Sequence, residues 1–345
     1  MASPTILEAI NAQSNDYSDV EARYHSDTHR ELTDLGPTEL IDLHESPCSV
    51  VISAYKGERT LPFMIDRLNQ QTARDFEVII VDDCSPQPLL STIVAAEPNF
   101  PTKYIRVLEN QGRAHTANVG LMAAEGECLI FTDQDILFDR DFVKRFSIKH
   151  AYTSDCVFLG FKDEIEFDDI PLATQPDGTS DWRNQITAES NFIALGANSG
   201  DTPEARTYRI LDETYGLKQL GHGRTIGFWD LASTAISHGI SLKRELARQV
   251  GGVPEQGFKG WGGQDIAFGA KLIAAGSYLV PAIDTAYHHV SHERYSGNRE
   301  TELQELRRNL VSYHGLLGTT LDQHSLNEER VRNRGQIGLI SIMEV

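Results

Sequence analysis

Four short apolar runs punctuate the first half of the chain: CSVVISAY from Cys48, FEVIIVDD from Phe76, KYIRVLEN from Lys103 and ECLIFTDQD from Glu127. They are rich in β-branched residues and nearly continuous, as strands covered on both faces of a sheet are. Between them the spacing turns helical. Leu61, Ile65 and Leu68 fall on one face, and a second helical stretch runs from Ala114 to Ala124. Strands alternating with helices at this interval predict βαβ units and a parallel sheet. The fold class expected is α/β, with a mostly parallel central sheet flanked by helices.

The flanking regions have other textures. Residues 1 to about 46 are polar and acidic with weak periodicity, and read as a mobile or loosely docked extension. From about 162 to 235 clusters such as PLATQPDGTSDWRNQ indicate a long, partly irregular excursion, of the kind that carries function or mobility. Order returns in ISLKRELARQVGGVPEQ, GWGGQDIAFGAKLIAAG and SYLVPAIDTAYHHVSH, and TELQELRRNLVSYHGLLG has the spacing of a terminal helix.

The predicted strands end in polar residues. Tyr55-Lys56-Gly57-Glu58 follows the first, Asp82-Asp83-Cys84-Ser85 the second and Asp133-Gln134-Asp135 the fourth. In open α/β sheets ligands bind outside the carboxyl ends of strands, so these clusters are expected to converge on one edge. Two carboxylates one residue apart can hold a hard divalent cation, which in turn binds a diphosphate. If the strand continued, both side chains would point the same way. A turn or a helix cap is the plain structural reading of the same residues. Asp265, in Trp261-Gly262-Gly263-Gln264-Asp265, opens a helical pattern. It is either an N-cap or a general base for an acceptor hydroxyl, with Trp261 offering a broad face to a sugar ring. His288, His289 and His292 are candidate metal ligands, without the spacing of a zinc protease. Arg113, at a predicted helix start, could pair with phosphate.

Composition narrows the classes. The 345 residues are 40% hydrophobic, enough for a full core, and the net charge is -19. Such a surface argues against binding nucleic acid or anionic lipid by charge. The four cysteines, Cys48, Cys84, Cys128 and Cys156, have no zinc-type spacing. Three sit in or beside apolar runs and read as buried thiols in a reducing compartment. The N-terminal residues have neither a basic flank nor a long apolar run, and no transmembrane segment is evident, so the expected location is cytoplasmic, with peripheral membrane contact left open.

Taken in order, these motifs resemble the GT-A glycosyltransferases of the large family 2 type. The series is VVISAY, Leu61 and Leu68 with Gln71, VDDCS, N-x-G with A-x-N-x-G, DQD, SLKRELARQVGGVPE, GWGGQD and the histidine cluster. The likeness covers roughly residues 48–161 and 238–292. It implies a Rossmann-like GT-A domain over 47–292, with a nucleotide-sugar half at 47–161 and an acceptor half at 162–292. An N-terminal extension would occupy 1–46 and a helical tail 293–345. It further implies that Ala54, Tyr55 and Glu58 line the nucleoside pocket, that Asp83 contacts uracil, and that Arg113 lies near the base or diphosphate. Asp133 would contact ribose, and Asp135 would bind Mn²⁺ or Mg²⁺ with His289, His288 and His292 being the alternatives. Asp265 would be the catalytic base beside Trp261, and its identity favours inversion. Asp181, Trp182, Arg183 and Trp229 are candidate acceptor contacts. The pattern departs from the family at AYKGER in place of P-x-Y-N, at Gln264 in place of Glu, and at Pro254 where Asp is common.

The function implied is transfer of a hexose or N-acetylhexosamine from a UDP-sugar to a hydroxyl of a glycan, peptide or small molecule. One rival is a sugar nucleotidyltransferase, which calls for a Gly-rich basic loop where AYKGERT has a single Gly. The other is a non-catalytic nucleotide- or carbohydrate-binding protein. Nothing in the sequence sets the oligomeric state.

Overall fold

A computed structural model of the chain describes residues 3–37, 42–173, 175–178, 181, 231–236, 238–292, 298–326, 328–329, 331 and 338–343. The four apolar runs form β1 (Cys48–Ala54), β2 (Phe76–Asp82), β3 (Thr102–Arg106) and β4 (Cys128–Asp133). They pair in parallel, in the order β3-β2-β1-β4. The chain therefore moves outward from β1 to β3 and then crosses back to lay β4 on the other side of β1. That reversal creates a switch point between β1 and β4, where a crevice opens at the strand ends.

Beyond β4 the sheet becomes mixed. β5 (Ile136–Phe138), β6 (Cys156–Ile165), β7 (Ile240–Lys243) and β8 (Tyr278–Val290) extend it in the order β5-β8-β6-β7-β4. β6 and β8 are parallel, while β7 runs antiparallel to both its neighbours. At the opposite edge β9 (Gly338–Met343) pairs antiparallel with β3. The predicted helical tail thus contributes a strand as well as a helix.

Burial explains the continuous apolar runs. Alternate residues of each central strand face two separate cores: Val51, Ile79, Val81, Leu129 and Phe131 pack on one side, and Val50, Ile52, Val78, Ile80 and Ile130 on the other. Each such side chain, fully buried, contributes about 1.5–3 kcal/mol relative to exposure. The first core is covered by α5 (Arg113–Ala123), α7 (Arg244–Gln249) and α8 (Gln264–Ala274). The second is covered by α3 (Leu61–Asn69), α4 (Leu90–Ala95) and α6 (Phe142–Ala151).

The N-terminal segment is docked, against the expectation of a loose extension. α1 (Ile6–Ala12) opens with a Thr5–Glu8 capping box, buries Ile6 in the first core, and receives support from Thr319, whose carbonyl accepts the Ile6 N–H at 2.7 Å. α2 (Ser18–Thr28) buries Val20 and Tyr24 in the second. The terminal helix α9 (Arg299–Leu317) starts at an Asn298 cap and packs on α8. Cys48, Cys128 and Cys156 are buried free thiols, as expected, and Cys84 is partly exposed. Among the described residues no helix is long and apolar enough to cross a membrane.

Candidate functional site

The ends of β1, β2 and β4 converge as predicted. Ala54 lies level with Asp82, Ser53 lies level with Asp133, and the Asp83 N–H donates to the Ala54 carbonyl at 2.8 Å. Ala54 is buried, Tyr55 is half-buried, and Glu58 is exposed on the loop that follows. The residue that ties this edge together is Gln134, which the sequence reading passed over. Its Oε1 accepts the Tyr55 N–H at 2.9 Å and its Nε2 donates to the Tyr55 carbonyl at 2.7 Å. Gly57 has no Cβ because one would press on this amide, 3.0 Å from Cδ and closer still to Oε1.

Asp83 is buried and fastens the loop before α5. Its Oδ1 accepts the Gln111 N–H and its Oδ2 the Gly112 N–H, both at 2.8 Å. Burial pushes its carboxyl above the ordinary range despite those two bonds. Gly112 takes φ +86°, which suits glycine and turns the chain into α5 with Arg113 as its first residue. Asn118, the Asn of A-x-N-x-G, points away from the crevice. It holds the 253–255 segment through the Val253 N–H and carbonyl and the Glu255 carboxylate.

β4 stops at Asp133, and Gln134 and Asp135 form a turn before β5. The alternation that would aim both carboxylates alike therefore ends, and the two aspartates separate. Asp133 Oδ1 accepts from Arg113 Nε at 2.6 Å, and Arg113 Nη1 reaches Asp265 Oδ1 at 3.1 Å. Arg113 thus bridges the two halves of the crevice. Burial, with Asp135 and Asp265 adding to it, raises the Asp133 carboxyl although Arg113 opposes this. Burial disfavours charge on Arg113 too, but Asp133 and Asp265 outweigh it and raise its value.

Asp135 is buried and faces the histidines instead. Its Oδ2 lies 3.8 Å from His289 Nε2 and 3.4 Å from His292 Nε2. One ligand atom from each of Asp135, His289 and His292 lies within 4.8 Å of the others. The buried Asp135 Oδ1 has no hydrogen-bond partner, an arrangement that is costly unless something else is coordinated there. One carboxylate and two imidazoles form a donor set that suits a divalent transition metal. His288 alternates onto the other side of β8 and takes no part; burial lowers its basicity. On His289 burial works the same way, but its hydrogen bond to Glu164 and the charges of Asp135 and Glu164 outweigh this and raise it.

Asp265 is not the cap of α8. Gly263, at φ +85°, is the capping residue, and Asp265 sits in the first turn, where the helix dipole favours an anion. The loop before it is held from the terminal helix. Asn309, fully buried, donates to the carbonyls of Lys259, Trp261 and Gly262, and its Oδ1 accepts the Lys259 N–H. Trp261 donates its backbone N–H to Glu305, and the residue is 53% exposed. Gln264 Nε2 donates to the Gly260 carbonyl at 3.1 Å, so the residue in the usual Glu position serves the loop itself.

Among the candidate acceptor contacts, Asp181 is fully buried and accepts the Lys162 N–H at 2.9 Å, a structural role rather than an exposed contact. Trp182, Arg183 and Trp229 lie outside the described residues.

This geometry agrees with comparison to known proteins. Residues 49–192 match the family described as Glycosyl transferase family 2. An uncharacterized glycosyltransferase of Haemophilus influenzae is 39% identical over 90 residues, 26% of this chain and 30% of that protein. The chondroitin synthase of Pasteurella multocida is 23% identical over 243 residues, 67% of this chain and 23% of its own length. The chain therefore spans less than a third of either relative. The structure of GalNAc-T7 with UDP, GalNAc and Mn²⁺ shares the fold with a TM-score of 0.56 at 18% identity, covering 80% of this chain and 48% of that one. A mannosyltransferase from Pyrobaculum calidifontis, in complex with GDP-Man and Mn²⁺, gives a TM-score of 0.50 at 17% identity over 95% of this chain and 81% of that one. Over residues 49–192 the chain is thus similar to the family 2 glycosyltransferases, and it shares the fold of the GT-A enzymes.

Proposed function

We propose that the protein transfers a hexose or N-acetylhexosamine from a UDP-sugar to a hydroxyl of a glycan, peptide or small molecule, with inversion and with a divalent cation. The observation that carries this reading is the meeting of Asp135, His289 and His292 at the end of β4, beside the Arg113 bridge to Asp265. The relatives with the same fold support it: GalNAc-T7 was solved with UDP and Mn²⁺, and the Pyrobaculum mannosyltransferase with GDP-Man and Mn²⁺.

Asp135, His289 and His292 would hold the cation, and the mixed oxygen and nitrogen donors favour Mn²⁺ over Mg²⁺. Bound there, it neutralises charge on the departing diphosphate. Asp83 keeps a further lone pair on each oxygen to accept a base N–H, while Ala54, Tyr55 and Glu58 border the nucleoside. Asp133 takes a ribose hydroxyl. Arg113 offers a charged fork to the diphosphate from the start of α5, where the helix dipole also favours an anion. Asp265, on the far side of Arg113, accepts the acceptor hydroxyl's proton as that oxygen attacks the anomeric carbon, and Trp261 presents its exposed face to a sugar ring.

Titration calorimetry with UDP tests the reading. Binding is expected with Mn²⁺, weakened strongly by EDTA and by Asp135→Ala. Equal affinity in all three conditions would remove the cation from the donor site.

A further inference from the structure

The cation site has a carboxylate behind it that no motif marks. Glu164 lies on β6, in register with His289 on β8, and its Oε2 is 2.7 Å from His289 Nδ1. A carboxylate only accepts, so in the neutral ring this bond places the proton on Nδ1 and leaves the lone pair on Nε2. Nε2 is the atom that faces Asp135. The other carboxylate oxygen is occupied: Lys162, two residues back on the same face of β6, donates to Glu164 Oε1. The ring of His289 is also fixed from its flat side. His238 stacks on it at 5.8 Å between centroids and 26° between planes, and His238 Nδ1 is itself 2.9 Å from the Tyr287 hydroxyl.

We propose that Glu164 is a positioning residue for the divalent-cation site, setting the tautomer and the plane of His289 so that Nε2 is presented to the cation. The proposal rests on the cation reading above. Metal-bound histidines usually give their second ring N–H to such a partner, and loss of that partner typically weakens metal binding about 10–100-fold. The competing account is a plain cross-strand ion pair between Glu164 and an imidazolium. It differs in a measurable way, because an imidazolium keeps protons on both nitrogens and offers nothing to a cation.

The test uses the whole chain without donor, near pH 8. Free Mn²⁺ is followed by electron paramagnetic resonance in wild type, Glu164→Ala, Glu164→Gln and Asp135→Ala, and the His289 ring nitrogens are followed by ¹⁵N NMR. Glu164→Ala is expected to bind Mn²⁺ roughly 10–100-fold more weakly. Glu164→Gln should fall between, because its amide oxygen still accepts from Nδ1, and it carries the test if the alanine variant does not fold. Wild-type His289 should show a protonated Nδ1 and a bare Nε2, and Glu164→Ala a mixture of tautomers. Unchanged Mn²⁺ affinity in Glu164→Ala, while Asp135→Ala loses the ion, would overturn the positioning role and leave the cation site standing. A wild-type protein that binds no Mn²⁺ would bring down the cation reading and this proposal together.

Discussion

Gly57→Ala is a one-atom change whose effect should depend on a residue 77 positions away. The new Cβ would press on the Gln134 amide and come within 3.1 Å of Leu61 Cδ1. Gln134 can rotate away, but only by giving up its bonds to the Tyr55 N–H and carbonyl. Two such bonds contribute about 1–3 kcal/mol in total. Against this, Gly→Ala at a backbone position that tolerates it gains about 0.4–1 kcal/mol from the unfolded chain, and Gly57 is not among the positive-φ glycines. The net expectation is a loss of about 1 kcal/mol in wild type. In a Gln134→Ala background only the Leu61 Cδ1 contact at 3.1 Å remains, at the end of a side chain that can shift by a few tenths of an ångström, and the same substitution should cost much less. A double-mutant cycle by urea unfolding, read with UDP affinity on the same four proteins, should give a coupling of about 1–2 kcal/mol. UDP binding should fall in both single variants, because Tyr55 loses its anchor. Additivity within about 0.5 kcal/mol would refute the claim that Gln134 is what requires glycine at 57.

Other expectations follow from the same geometry. Asp265→Asn should leave UDP affinity intact and lower transfer by about 10²–10⁴-fold, since an amide cannot accept the proton; comparable turnover would remove Asp265 from the base role. Asn309→Ala strands the carbonyls that it holds and should cost roughly 2–4 kcal/mol in urea unfolding, with transfer more affected than UDP binding. Lys271, on α8, is buried with its Nζ on the Gly252 carbonyl, and burial pushes it down to about 7 from an ordinary 10.5. A base with a lowered folded value destabilises the fold while it is protonated in both states. From about pH 7 up to the ordinary lysine range the unfolded chain holds more protons, so stability should rise with pH across that window. Lys271→Met should flatten this rise; identical pH profiles for the two proteins would rule out a neutral buried lysine.

Much of the fold was readable because its central strands are covered on both faces, which leaves a continuous apolar signal in CSVVISAY, FEVIIVDD and ECLIFTDQD. The docked N-terminus was misjudged because Val20 and Tyr24 are the buried face of a short helix in an otherwise polar stretch, too few to register as a period. β9 went unseen although GLISIM has strand composition, since a lone edge strand after a helical tail has no neighbouring pattern to support it. In the site, the family resemblance names Asp135 and His289 together, and one ligand atom of each lies within 4.8 Å of the other and of His292. The choice between His288 and His292 needed the extent of β8, whose alternation turns His288 away, and the parting of Asp133 from Asp135 needed the end of β4. Gln134, Glu164 and Asn309 were missed because each acts through partners 79, 125 and 47–50 residues distant, which local spacing does not encode.

The most direct test of the account is a donor screen. Purified protein is incubated with each common UDP-sugar, with Mn²⁺ or with EDTA, and released UDP is measured for wild type and Asp135→Ala. The account predicts release from one donor, dependent on Mn²⁺ and lost in the variant, because water slowly replaces the acceptor. No release from any UDP-sugar with Mn²⁺ present, or release that EDTA and Asp135→Ala leave unchanged, would contradict it.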